Sequence, residues 1–221
     1  MQPARSAPPP PAGQQLPDAA WLIHHLAHEL RQPLSGIETA AYYLDMVVSE
    51  ARPDLTPHCR RLRAMVQHAN WLLDDATLCA APPGAAESQA LAGVLGQAAR
   101  RLYEQEEAVL DLHLETEGRV EAPETLPRLV GHVVAFFRDV AGCHDPVHAS
   151  LKREGAWVAL QVWAGGCEDP EDAARTLRSA AEGGALRRFL EAAGGGFDAG
   201  ADPSAGRLAL TLRLPAAEQG Q

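Results

Sequence analysis

Two stretches in the N-terminal third carry apolar residues at alternating spacings of four and three. These are Leu30, Leu34, Ile37, Ala41, Leu44 and Val48 in the first, and Leu62, Val66, Ala69, Leu73, Ala76 and Ala80 in the second. Such spacing predicts helices that pack lengthwise on other helices. The first helix is predicted to begin after the capping residue Asp18 and to reach about Glu50. The second begins at Thr56-Pro57, so residues 18–80 are predicted to form an antiparallel helical hairpin.

The apolar stripe of each predicted helix is wider than one partner helix can cover. In the second helix, Met65 and Leu72 widen the stripe further. Two copies of the hairpin can bury their stripes in a dimeric four-helix bundle, so a homodimer is expected. The alternative is that the hairpin packs against the C-terminal part of its own chain.

The pattern changes after a linker of alanine, proline and glycine at 81–86. Alternating leucines predict one strand over 110–114 and a last strand over 207–214. Apolar periodicity and glycine positions predict further elements: a helix from Ser88 to about 106, a helix over 126–141, a strand hairpin over 147–163, and a helix over 170–193 broken at Gly183-Gly184. Helices alternate with mainly antiparallel strands, which predicts a two-layer α/β sandwich over 88–215.

Composition and charge limit which kinds of partner and which cellular compartment are expected. The 221-residue chain has a formal net charge of -10, which argues against a nucleic-acid surface, because phosphate binding needs a basic stripe. No apolar run approaches a membrane span of about 20 residues. Residues 1–17 contain prolines at 8 through 11, which predicts a disordered tail and not a signal peptide. The four cysteines, Cys59, Cys79, Cys143 and Cys167, form no C-x-x-C pair, so a reducing cytoplasm is expected.

One histidine stands apart from the apolar seam of the first helix. His28 falls on the same side as Arg31, Gln32 and Ser35, so it is expected to face solvent. An exposed imidazole is a nucleophile near neutral pH, and the adjacent Glu29 can take its second ring proton or fix its tautomer. The plainer interpretation is that His28 and Glu29 belong to a solvated helix face.

A metal site is a second alternative, because His24 and His28 share a helix face and His25 lies between them. The zincin pattern needs a histidine three residues after Glu29, where this chain has Gln32. No cysteine or carboxylate cluster completes a site nearby, so no metal is expected.

The string from His28 to Leu34 resembles the phosphoacceptor box of two-component histidine kinases, which reads H-E-L-R-x-P-L. The positions that agree are His28, Glu29, Leu30, Arg31, Pro33 and Leu34. The resemblance implies that His28 is phosphorylated and that Glu29 is its acid or base. It places Arg31, Gln32, Ser35 and His25 on the face that holds phosphate or docks a regulator.

The segment 88–215 resembles the ATP-binding domain of the same kinases in the order of its elements. Its nucleotide-contact positions depart from the family: Ala135 and Asp139 stand at the two asparagines, Ala164 stands at the adenine-binding aspartate, Gly166 keeps the glycine of that loop, and Glu182 replaces a glycine of the second loop. The segment 167–182 is also shorter than the usual ATP lid. The resemblance implies a retained scaffold that has lost its nucleotide contacts.

An intact phosphoacceptor hairpin before a degenerate ATP domain resembles the histidine phosphotransferases of the ChpT type. The resemblance implies that phosphate passes between receiver aspartates of response regulators through His28, without ATP. It implies no cofactor on this chain, with Mg²⁺ held by the partner receiver domain. Two alternatives are a divergent active histidine kinase and a non-catalytic module that binds a response regulator.

Overall fold

The computed structural model describes residues 18–48, 52, 54–82, 84–106 and 109–217, without the side chains of 48, 105 and 106. The predicted tail, 1–17, lies outside these residues, as does the predicted end of the first helix at Glu50. The hairpin itself is present: helix α1 spans Ala19–Val48 and helix α2 spans Thr56–Ala80. Among the residues described, no helix is both long and apolar enough to span a membrane.

The two predicted seams are only partly buried within one chain. Helix α1 faces α2 through Ala27 and Ala41, which are 1% and 0% exposed, and through the half-buried Leu34. Of the predicted seam of α1, Leu30, Ile37 and Leu44 remain exposed. One helix partner therefore covers only Leu34 and Ala41 among the five seam side chains that the structure describes, and an apolar surface is left along the hairpin.

The C-terminal part is a two-layer α/β structure, as the alternating pattern predicts. Its strands form a five-stranded sheet in the order β2-β4-β5-β7-β6 and a two-stranded sheet, β1-β3. The strands are β1 Ala86–Ala90, β2 Leu110–Leu114, β3 Arg119–Pro123, β4 Val147–Glu154, β5 Trp157–Ala164, β6 Gly196–Asp202 and β7 Arg207–Pro215. Pairing is antiparallel except between β2 and β4. The helices are α3 Leu91–Glu106, α4 Leu126–Ala135, α5 Pro170–Gly183 and α6 Ala185–Ala193.

Two predicted elements differ in their details. Ser88 does not cap a helix: it lies in β1, opposite Glu121 of β3, and α3 begins only at Leu91. The helix predicted over 126–141 is α-helical to Ala135 and continues as a π-helical turn, Phe136–Val140. The predicted break at Gly183-Gly184 separates α5 from α6, and Gly194 ends α6 in the left-handed conformation that glycine favours, with φ 66°.

The expectation of four reduced cysteines is wrong for one pair. Cys143 and Cys167 form a disulfide across 24 residues of sequence. They come together because β4 and β5 are antiparallel. The loop before β4 therefore meets the loop after β5 at one end of these two strands. Cys59 and Cys79 are free thiols.

Helix α2 joins the hairpin to the C-terminal part. It packs against α4, the π-helical turn and α6, and Trp71 of α2 belongs to the same hydrophobic core as the sheet. The alternative of packing on the chain's own C-terminal part is therefore correct for one face of α2. The exposed stripe lies elsewhere on the hairpin.

Candidate functional site

The phosphoacceptor face of α1, defined as His25, His28, Gln32 and Ser35, is open to solvent. All four side chains are exposed. They share one side of the helix because residues three, four and seven positions apart overlie each other. The buried residue Ala27 and the half-buried Leu34 face α2 on another side. The structure thus brings these predicted site residues onto a single accessible surface.

Glu29 is also exposed, but it does not contact the histidine beside it. Neither His28 nor Glu29 has a hydrogen bond to another side chain within the described residues. Adjacent residues on a helix point about 100° apart, so Glu29 must turn back to reach the ring. The two side chains are therefore not paired in this structure.

Arg31 leaves the phosphoacceptor face and reaches across to α2. Its Nη2 donates to Oδ1 of Asp74 at 2.5 Å. Both side chains are substantially exposed, at 41% and 57%, so this pair contributes little stability. The pair instead fixes where the guanidinium sits, one helical turn from His28.

The two histidines before His28 are engaged in other contacts. Nδ1 of His24 lies 2.8 Å from the carbonyl oxygen of Ala20, one turn earlier in α1. The ring of His25 stacks on Trp21 with centroids 5.1 Å apart. Within the described residues there is no group of three or more histidine, cysteine, aspartate or glutamate side chains placed to hold a metal.

The positions of the family's asparagine box lie at the end of α4 and in the π-helical turn. Ala135 has no polar side-chain atom, and Asp139 is paired with its neighbour, Arg138. Nε and Nη2 of Arg138 donate to the two carboxylate oxygens of Asp139, each at 2.5 Å. The carboxylate is thus already neutralised by a cation on its own turn, and it does not fit the role of a free magnesium ligand.

The first glycine loop follows β5. Ala164, at the end of that strand, is 0% exposed and can offer no acceptor to an adenine amino group. Gly166 has φ 65°, and its carbonyl oxygen accepts from the amide of His144 at 3.4 Å. This loop is therefore hydrogen-bonded to the segment before β4, next to the disulfide.

The second glycine loop is the short junction between α5 and α6. Glu182 is exposed at the end of α5, and its carbonyl oxygen accepts from Nη1 of Arg187 at 2.9 Å. Gly184 is the last residue before α6 and is buried. A side chain at Gly184 would collide with the carboxylate of Asp75 and with the carbonyl oxygen of Ala180.

Helix α2 lies across the groove between the asparagine-box helix and this junction. It leaves one cavity of about 400 Å³ on the side of Ala135 and Asp139 and another of about 560 Å³ on the side of Gly183 and Gly184. Ala164, Gly166 and Glu182 line neither cavity. The predicted nucleotide-site positions are therefore not gathered around one pocket.

The side chains of α2 that contact α4 and the start of α6 are Trp71 and Asp75, which the sequence patterns did not single out. Both also line the cavity of about 560 Å³. Trp71 is 6% exposed, stacks on the ring of His132 at 4.3 Å, and meets Phe136 edge-on at 5.2 Å. Its Nε1 donates to the carbonyl oxygen of His132 at 3.0 Å. Oδ1 of Asp75 accepts from Nε2 of His132 at 3.2 Å and from the amide of Ala185 at 3.0 Å.

The clearest signal that sequence reasoning could have used is the tryptophan itself. A large aromatic residue next to the leucine seam of α2 indicates a second buried face on that helix. A carboxylate four residues later lies on the same face and needs a partner if it is buried. Neither residue reveals by itself which part of the chain it meets.

Comparison with solved structures identifies the fold of the C-terminal part. The ATP-binding domain of PrrB from Mycobacterium tuberculosis is 19% identical, with a TM-score of 0.51 over 60% of this chain and 98% of that domain. The histidine kinase AdeS from Acinetobacter baumannii is 15% identical, with a TM-score of 0.48 over 86% of this chain and 98% of AdeS. The histidine kinase domain of the E. coli osmosensor EnvZ is 16% identical, with a TM-score of 0.46 over 64% and 94% of the two chains.

The chain is thus similar in fold to the ATP-binding domain of a histidine kinase, which confirms the predicted architecture of 88–215 at that level. No protein-family model matches the sequence. No curated protein matches it either.

Proposed function

We propose that this protein is a histidine phosphotransferase that carries phosphate between response-regulator receiver aspartates on His28, without using ATP. The phosphoryl group passes from a receiver aspartyl phosphate to a ring nitrogen of His28, and then to the aspartate of a second receiver. Glu29 serves as the acid or base beside the ring. The receivers supply the Mg²⁺ for both steps.

The observation that carries the proposal is the solvent exposure of His28 and of the residues around it on α1. His28 is exposed on a helix face whose other members, His25, Gln32 and Ser35, are also exposed. A receiver must bring its aspartyl phosphate to within contact distance of the histidine, and only an open face permits this. Arg31, held by Asp74, supplies positive charge one turn away.

The absence of nucleotide contacts supports the part of the proposal that excludes ATP. Phosphoryl transfer from ATP depends almost wholly on positioning the nucleotide and on neutralising its phosphates. Ala164 leaves the adenine amino group without its acceptor, a loss of about 1–3 kcal/mol. Asp139 is paired with Arg138, and the Asp75 carboxylate already accepts from the first amide of α6. Together these features disfavour a nucleotide at each of its parts.

A homodimer is part of the same proposal. The hairpin exposes large apolar side chains along both helices: Leu26, Leu30, Ile37 and Leu44 in α1, and Leu62, Met65 and Leu72 in α2. A stripe of this length is unusual for a surface that meets only water. A second copy of the hairpin would cover the stripe, and the phosphoacceptor faces would then lie on the outside of a four-helix bundle.

The test is to mix the purified protein with phosphorylated receiver domains in the absence of ATP. We expect acid-labile, base-stable phosphate on the protein, located to His28 by fragmentation mass spectrometry. His24 and His25 serve as internal controls because they lie on the same helix within two turns. Phosphate on either of them instead of His28, or no phosphate from any receiver, would contradict the proposal.

A further inference from the structure

We infer that Trp71 and Asp75 of α2 form a clasp that fixes the C-terminal domain against the hairpin by joining α4 to the start of α6. The clasp consists of Trp71, Asp75, His132 and Ala185. The inference rests on the proposed function only where it assigns these residues a part in phosphotransfer. Its structural part stands on the contacts alone.

The first half of the clasp is aromatic. The indole of Trp71 stacks almost parallel to the His132 ring, with an angle of 10° between the planes, and its Nε1 bonds the backbone of the same residue. Phe136 closes the far edge of the indole. The indole is thus held against α4 and the π-helical turn, next to the turns of the helix that carry Ala135 and Asp139.

The second half of the clasp is anionic. A helix begins with four amides that have no acceptor within the helix, and the first residue of α6 is Ala185. The Asp75 carboxylate, only 15% exposed, supplies the missing acceptor. Its negative charge also suits the positive end of the α6 dipole. An anion from the hairpin therefore occupies the glycine junction, where Gly184 leaves just enough space for it.

A third contact extends the clasp along α2. The guanidinium of Arg188, in the first turn of α6, donates through Nη1 to the carbonyl oxygen of Cys79. This bond satisfies one of the last carbonyls of α2, which have no amide donor within that helix. The hairpin is thereby tied to α6 at two levels, by Asp75 and by Cys79.

Because one oxygen of Asp75 accepts from both His132 and Ala185, it joins α4 to α6 through α2. Loss of this carboxylate would leave two buried donors unsatisfied and would free the domain to move relative to α1. In the proposed phosphotransferase, Asp75 is then a positioning residue. It holds the domain as a wall beside the docked receiver and makes no contact with the phosphoryl group.

The amide of Ala185 reports on the clasp directly, because Asp75 is the acceptor that protects it. The experiment measures hydrogen exchange of this amide by NMR in the full chain, in wild type and in Asp75→Ala. A charged hydrogen bond of ordinary strength corresponds to about tenfold slower exchange, so Asp75→Ala should accelerate it about tenfold or more. Asp74→Ala is the matched control, since its carboxylate bonds Arg31 and not α6.

Asp75→Asn keeps an acceptor oxygen and nearly the same volume, and it should give an intermediate rate. This variant decides the question if Asp75→Ala does not fold. The clasp is refuted if the Ala185 amide exchanges in wild type as fast as an unprotected amide, or if Asp74→Ala accelerates it as much as Asp75→Ala.

The positioning role is tested separately with phosphorylated receivers. Asp75→Ala should raise the receiver concentration that gives half-maximal labelling of His28 and leave the maximal rate nearly unchanged. A fall in the maximal rate alone would contradict the positioning role. Absence of His28 labelling in wild type would refute the proposed function, while the exchange of the Ala185 amide would still decide whether the clasp exists.

Discussion

Two surfaces that the histidine kinases use for chemistry differ sharply in this protein. The phosphoacceptor face of α1 is open, and its central residue, His28, makes no side-chain bond within the described part of the chain. The C-terminal domain instead packs on α2 through the clasp, with Trp71 6% exposed and the Asp75 carboxylate shared between two donors. One surface is exposed to solvent, and the other takes part in contacts within the chain.

The difference shows that the fold and the positions at the ends of its elements make separate demands on the sequence. The sheet needs alternating apolar residues, which β5 and β7 provide through Leu160, Leu210 and Leu212. The positions that the resemblance assigns to a nucleotide lie at the ends of strands and helices, where a change of side chain leaves most of the core intact.

The largest expected effect is at His28. His28→Ala should abolish the acceptance of phosphate from receivers, because the nucleophile is removed. Its free energy of unfolding should stay within about 0.5 kcal/mol of wild type, since the side chain is exposed and unbonded. His24→Ala, outside the defined phosphoacceptor face, should keep its phosphate. Acid-labile phosphate and urea denaturation measure the two properties, and a phosphorylated His28→Ala variant would contradict the assignment.

The second prediction concerns the exposed stripe of the hairpin. Leu44→Glu combined with Leu73→Glu should give monomers or unfolded chain, because charges would enter the core of the four-helix bundle. Met46→Glu is a matched control: Met46 is similarly exposed but lies about 200° around the helix from Leu44. Light scattering at tens of micromolar is the measurement. A monomeric wild-type protein would refute the homodimer.

The third prediction compares two tryptophans. Trp71→Ala should lower the free energy of unfolding by about 3–5 kcal/mol, because it removes a buried indole and leaves a cavity. Trp21→Ala, where the indole is 57% exposed, should change it by less than about 1 kcal/mol. Urea denaturation of both variants provides the comparison. If both substitutions lowered the free energy of unfolding by the same small amount, Trp71 would not be part of the buried contact between α2 and α4.

Much of this architecture follows from local sequence patterns, and the exceptions have physical causes. Strands β2 and β7 are predicted by alternating leucines, and both helices of the hairpin by their apolar spacing. Ser88 misleads because β1 forms by pairing with β3, which begins about thirty residues later. Strand β6 contains Gly196 and Gly200 in place of large apolar residues, so no alternation announces it.

Some features of the candidate site could be predicted from the sequence and others could not. The exposure of His28, Gln32 and Ser35 follows from their place on one helix and could be predicted. The contact between Asp75 and Ala185 joins residues 110 positions apart, and no local pattern predicts such a partner. The disulfide between Cys143 and Cys167 likewise depends on the pairing of β4 with β5.

The smallest expected effect is at Cys79, beside the clasp. Burial raises the pKa of the Cys79 thiol above its ordinary value, the negative charge of Asp75 raises it further, and Arg188 lowers it. The thiolate is the reactive form, so Cys79 should be alkylated slowly at pH 8. Arg188→Ala removes the one lowering influence and should slow the reaction further. Iodoacetamide labelling with mass spectrometry measures this, and faster labelling in Arg188→Ala would contradict the electrostatic explanation.

A comparison of phosphoryl donors on one protein preparation tests most directly whether His28 takes phosphate from receivers and not from ATP. Labelled Mg-ATP is supplied alone to one sample, and a labelled phosphoreceiver without nucleotide is supplied to another. We expect label on His28 from the receiver and none from ATP, even at about 1 mM nucleotide, because Ala164 offers no acceptor to adenine and Asp139 is paired with Arg138. Labelling of His28 by ATP alone would show an active kinase and contradict the account.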